Sequence, residues 1–195
     1  MARLRPSAGK GHEEFGKILE KCAGVTVELM TTVDYNVAIE AIVFGKTQLA
    51  NMGAEGFIQA QKKNPDVKPF VIAADTDGKL DGAKYFIRIC VPADQMNSYK
   101  DSSDKTDHSI KNSKGRRMSF VSTTSTSGFK VPSNAIMKVF PEDVKSSDDL
   151  TKASFFSKVL FGNSHPGSCV NLLQGDTAGF IKVEDSCHDP IRALE

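Results

Sequence analysis

The groups in this sequence best suited to chemistry are hydroxyls and backbone amides at three expected strand-to-helix junctions. The first reads Ser122-Thr-Thr-Ser-Thr-Ser-Gly128, with Pro132 four residues further on. A helix beginning there points unbonded amides and the positive end of its dipole at whatever lies above it, so Ser125, Thr126 and Ser127 could hold a small anion. The same residues could equally form a turn that only caps the helix. The second junction reads Gly162-Asn-Ser-His-Pro-Gly167. Pro166 suits a first helical position, which puts Ser164 and His165 at the helix mouth. A histidine there can donate to an anion, or it can serve capping and core structure alone. Asp34-Tyr35 forms the third junction. In an open α/β sheet, ligands bind beyond the carboxyl ends of the strands, where such junctions gather.

The elements that must position these groups follow from hydrophobic spacing. Phe15, Ile18, Leu19 and Cys22 recur at helical intervals and predict a helix over 12–22. Val25, Val27 and Leu29 alternate with polar neighbours, the pattern of a half-buried strand. Asp34 is placed to cap a helix from Tyr35 to Phe44, which Gly45 ends. A short strand over 48–52 and a helix over 55–62 are expected next, then apolar strands over 69–74 and 85–91. After a polar stretch from Tyr99 to Arg117, read as a solvated loop, the pattern resumes. Strands are expected at 118–121 and 159–161, and helices at 128–140 and 166–173. This alternation predicts an α/β fold with largely parallel sheets. The polar break suggests two lobes, residues 1–90 and 91–195, with a hinge near 88–94.

The composition narrows the function. With 25 basic and 24 acidic residues the net charge is +1, without the basic surplus of a nucleic-acid binder. No apolar run reaches the length of a membrane span, and no signal-peptide pattern is visible in the first residues. The four cysteines, Cys22, Cys90, Cys169 and Cys187, lack C-x-x-C spacing, so no zinc or thioredoxin-like motif is expected. They read first as buried or reduced thiols, with Cys169 and Cys187 the pair to examine for a disulfide. Nothing in the sequence calls for a metal or a cofactor.

Three segments, in order, are similar to a known family. DYNVAIEAIVFGKTQLANMG at 34–53, STSGFKVP at 125–132 and VLFGNSHPGSCVNLLQGD at 159–176 resemble segments of the phosphonate, phosphite and phosphate substrate-binding proteins of ABC importers. The resemblance covers most of residues 6–185. It implies the type II periplasmic-binding fold, in which two lobes close on a small oxyanion, and a partner permease. By the same resemblance Ser125, Thr126 and Ser127 hold the phosphonyl oxygens and His165 adds a hydrogen bond. Tyr35 contacts the same group and Tyr85 lines the hinge side. Asp176 and Glu184 are candidates for a ligand amine. The family resides in the periplasm, or outside the cell on a membrane anchor, with a leader that this chain does not display.

The sequence also departs from the family pattern. Gln48 and Asn51 stand where the family has an acidic and an aromatic residue. The first strand is scarcely present, and the chain ends near the family's return crossing to the first lobe. The resemblance therefore implies a fragment or short form, with weaker ligand affinity and self-association through an incomplete first lobe. Two other functions use the same residues. A sensory receptor would bind a similar anion without feeding a transporter. A hydrolase would use Ser127, His165 and Asp176, but the sequence lacks a G-x-S-x-G elbow.

Overall fold

Apolar residues on β2 (Arg117–Phe120) carry the centre of the core: Met118 and Phe120 are fully buried. The computed structural model describes residues 10–32, 34–84, 87–103, 109–174, 177–182 and 191–193. Five strands form one sheet in the order β3-β2-β4-β1-β5. They are β1 (Ile87–Pro92), β2, β3 (Lys158–Phe161), β4 (Thr177–Lys182) and β5 (Ile191–Ala193). β2 pairs in parallel with β3 and β4, while β1 runs antiparallel to β4 and β5. The parallel pairing expected for an α/β fold thus holds at β2, and β1 makes the sheet mixed.

Phe120 meets Phe129 edge-on at 5.0 Å and Phe156 at 6.0 Å, and Phe155 stacks edge-on against both Phe140 and Phe156 at 4.8 Å. Val91, Tyr99, Ile136, Val144 and Leu150 complete this core. Edge-to-face aromatic pairs add about 0.5–1.5 kcal/mol beyond their burial. Within the polar stretch expected to be a solvated loop, Tyr99 is buried with the Arg116 guanidinium over its ring, and Ser113 is buried with its Oγ on the Ile110 carbonyl.

The helices begin and end near the expected positions. They are α1 (Lys10–Ala23), α2 (Tyr35–Val43), α3 (Ala54–Lys63), α4 (Val131–Val139) and α5 (His165–Leu173). Asp34 caps α2 as expected, its Oδ1 accepting from the Asn36 amide at 2.8 Å. Asp34→Ala should therefore cost about 1 kcal/mol in a urea titration, and Asp34→Asn much less. Gly45, at φ +65, turns the chain out of the helix.

Three expected strands carry no ladder. Residues 25–30, 48–52 and 69–74 lie outside regular structure. A strand needs a neighbour for its N–H and C=O groups, and every described strand lies after residue 86. Residues 34–84 instead contribute α2 and α3, joined by the Asn64 side chain on the Val43 carbonyl and a Lys63–Glu40 ion pair. Phe70, Val71 and Ile72, expected in an apolar buried strand, are all exposed. Residues 1–33 and 34–195 form separate compact units. In the first, Glu20 accepts from the Val27 amide at 2.9 Å.

Candidate anion-binding site

β2 and β3 lie side by side and parallel, so their carboxyl ends deliver the two hydroxyl-bearing loops to one edge of the sheet. Past the strand ends the pairing continues, with the Gly162 amide on the Phe120 carbonyl at 2.9 Å and the Asn163 amide on the Val121 carbonyl at 2.7 Å. Asn163 takes a left-handed φ of 60°, a conformation asparagine tolerates better than most residues. Two glycines allow the close approach. A Cβ on Gly128 would lie 2.3 Å from the Val121 side chain, and one on Gly162 would lie 2.1 Å from the Ser168 amide nitrogen.

After β2 the chain enters one π-helical turn, Thr126–Lys130, which runs directly into α4. Ser125 caps this turn, its Oγ accepting from the Gly128 amide at 3.0 Å. Ser164 caps α5 in the same way through the Gly167 amide at 3.0 Å, and Pro166 occupies an early helical position. Ser168, one turn into α5, donates to the Phe120 carbonyl at 2.9 Å and ties the helix to β2.

This framework brings Ser127 Oγ within 3.1 Å of His165 Nε2, both side chains buried. Thr126 Oγ1 does something its sequence context does not reveal. It accepts from the Glu55 amide at 2.9 Å and so caps α3, whose own N-cap residue, Gly53, has no side chain to do it. Lys130 reinforces the contact with its Nζ 3.7 Å from Glu55. The only sequence signal for this was Gly53 itself, a helix start without a capping side chain.

The hydrogen-bond inventory of these hydroxyls decides their chemistry. A hydroxyl has one proton to donate and two lone pairs to accept with. Ser125 and Thr126 each accept from a backbone amide, which leaves each proton free. Ser127 Oγ and His165 Nε2 share one hydrogen bond, whose donor is set by the histidine tautomer. Hydroxyls with protons to give, beside the first amides of a helix, are chemically suited to a group that only accepts, such as an oxyanion.

Of the residues expected in the site, Ser127 and His165 are brought into contact, while Ser125 and Thr126 precede Ser127 in the chain with their oxygens on the Gly128 and Glu55 amides. Tyr35 opens α2, half-buried, directly after its Asp34 cap. Tyr85, Asp176 and Glu184 lie outside the described residues. Among the described residues no group of His, Cys, Asp and Glu side chains could hold a metal ion. Cys22 and Cys90 are free thiols, and burial pushes the Cys90 thiol up to about 11 against the opposing pull of Arg88. Cys169, read first as a reduced thiol, is disulfide-bonded. Its expected partner, Cys187, lies outside the described residues.

Residues 6–185 match the model of a family described as ABC transporter, phosphonate, periplasmic substrate-binding protein. The chain belongs to that family. It is 26% identical over 165 residues to the phosphate-import protein PhnD of Mycolicibacterium smegmatis, covering 84% of this chain and 47% of that one. The chain therefore spans about half the length of this curated relative. PhnD1 of Prochlorococcus marinus, solved in complex with methylphosphonate, shares the fold with a TM-score of 0.69 at 19% identity, over 98% of this chain and 69% of that one. A binding-protein component of an ABC phosphonate transporter from Pseudomonas aeruginosa superposes with a TM-score of 0.63 at 18% identity, over 91% of this chain and 54% of that one. These likenesses establish the type II periplasmic-binding fold.

The Thr126 contact can be tested on its own. Thr126→Val keeps the shape and removes the acceptor, leaving the Glu55 amide without its partner, at a cost of about 1 kcal/mol. Amide exchange at Glu55 should accelerate in that variant and return to the parent rate in Thr126→Ser.

Proposed function

We propose that this chain is the substrate-binding component of an ABC importer and captures a phosphonate- or phosphate-type oxyanion without catalysis. The observation that carries the reading is the contact of Ser127, last of the Ser125-Thr126-Ser127 hydroxyls, with His165 beyond the carboxyl ends of β2 and β3. Membership of the family supports it, as do relatives whose names include phosphate import and methylphosphonate. Tyr35 contacts the bound group, and Tyr85 lines the hinge side between lobes of residues 1–90 and 91–195. Asp176 or Glu184 meets an amine where the ligand has one. The partner is a membrane permease, and the protein works in the periplasm or outside the cell on a membrane anchor. The disulfide at Cys169 suits such an oxidising compartment. The exposed Phe70, Val71 and Ile72 support self-association through the first-lobe segment.

Calorimetry against phosphate, phosphite, methylphosphonate and 2-aminoethylphosphonate is the direct test. Saturable binding of at least one of these is expected, and no heat from any of them would overturn the reading. The 3.1 Å approach of Ser127 to His165 also suits a nucleophile and its base. A hydrolase would be labelled at Ser127 by a fluorophosphonate, whereas a receptor would stay unlabelled.

A further inference from the structure

The N-terminus of α3 grips both ends of the turn that carries Ser127. Glu55 gives its backbone amide to Thr126 Oγ1 at 2.9 Å, and its carboxylate lies 3.7 Å from Lys130 Nζ. Thr126 and Lys130 are the first and last residues of the π-helical turn. Gln59, one helical turn further along α3, donates to the same carboxylate at 2.7 Å and holds it in place. Gly53 lets the helix come this close, since a Cβ there would lie 2.9 Å from Thr126 Oγ1. Its φ of −73° is open to any residue, so it is the space and not the backbone that calls for glycine.

The turn matters to the site because Ser127 follows Thr126 directly and meets His165 at 3.1 Å. It is closed by the Lys130 amide on the Ser125 carbonyl at 3.1 Å, and tied to the end of β2 by the Val121 amide on the Gly128 carbonyl at 3.1 Å. Single π-helical turns are uncommon and gather at functional sites. α3 packs on this turn and on α2, so the turn is where the segment before β1 reaches the candidate site.

We propose that α3 clamps this turn, so that the docking of α3 and oxyanion occupancy at Ser127 and His165 are coupled. The proposal rests on the oxyanion reading above. Glu55, Thr126 and Lys130 are then positioning residues, acting on Ser127 through the backbone of the turn. A bound anion fixes the turn, and a fixed turn presents Thr126 Oγ1 and Lys130 to α3 in bonding position. Linkage makes the effect mutual: the factor by which docking tightens the anion is the factor by which the anion protects the docking.

The test uses the full 195-residue chain and hydrogen exchange at the Glu55 amide. Exchange is measured with and without saturating amounts of whichever of phosphate, phosphite, methylphosphonate and 2-aminoethylphosphonate binds in calorimetry. The anion should slow Glu55 exchange about fivefold or more, the low end of coupling between sites. The Ser146 amide, held by the Asp149 carboxylate at 2.9 Å in a cap of its own, is the control, because stabilisation of the whole fold slows both amides alike. In Thr126→Val the slowing should vanish, and Thr126→Ser should restore it. Gly53→Ala supplies the reverse measurement. Its Cβ drives α3 off the turn or rotates Thr126 away, while both site side chains are unaltered, and anion affinity should fall by a similar factor. Anion binding with Glu55 slowed no more than Ser146, slowing that persists in Thr126→Val, or parent affinity in Gly53→Ala would each overturn the clamp and leave the receptor reading standing. Absence of binding by all four anions would overturn both. If Gly53→Ala does not fold, the exchange measurement on the parent chain decides.

Discussion

Gly162→Ala should lower the stability of the protein by about 3 kcal/mol and separate Ser127 from His165. The added Cβ would sit 2.1 Å from the Ser168 nitrogen and 2.5 Å from the Gly167 carbonyl carbon. Both are backbone atoms of α5, so no flexible side-chain end can swing aside. Gly167 cannot yield either, since its own Cα packs so tightly that a Cβ there would lie 2.0 Å from the Gly162 carbonyl oxygen. Relief must come from moving α5 off β3. That movement strains the Ser164 cap and the Ser168 bond to the Phe120 carbonyl, and it carries His165 away. For a chain of this size the loss corresponds to a fall in Tm of roughly 6–12 °C. Urea unfolding and ligand titration of the same variant make the check. Parent-like stability and binding would show that the loop can withdraw without cost.

The second large effect is on ligand affinity. On the proposed binding mode, Ser127→Ala removes one donor to the oxyanion, and His165→Ala removes the hydrogen-bond partner of Ser127. Each should weaken oxyanion binding by about 1–3 kcal/mol, the range for a charge-assisted hydrogen bond. That is roughly a 5- to 150-fold rise in Kd. Because the two side chains contact each other, the double variant should lose less than the sum of the two losses. Calorimetry with the tightest of the four oxyanions measures all three. Full additivity would mean that the 3.1 Å contact does not couple them, and unchanged affinity in both single variants would remove these residues from the site.

In Ser127→Ala, circular dichroism and the Tm should stay close to the parent values, because the Ser125, Ser164 and Ser168 bonds that hold the loops are retained. A large fall in stability would instead mark the hydroxyl as structural.

The sequence by itself determined the elements whose signals are local. Asp34 before an apolar helix, Pro166 after Ser164 and the glycine after Ser127 each act within a turn, so caps and helix starts were legible there. The periodicity around Met118 and Val159 likewise located β2 and β3, and the hydroxyl-rich junctions after them identified the candidate site. What depended on a distant partner was decided by the tertiary structure. Val25–Met30 and Phe70–Ile72 have strand-like sequences but no neighbour in the described sheet, and a strand without a neighbour has no ladder to join. Thr126 looked like another ligand hydroxyl, yet its oxygen caps a helix 71 residues away in the chain. The Ser127–His165 contact bridges 38 residues and exists because β2 and β3 pair in parallel with their ends level. Spacing along the chain records what a residue can do with its neighbours. Which of those capacities is used depends on strand pairing and packing, whose energies come from residues far apart in sequence.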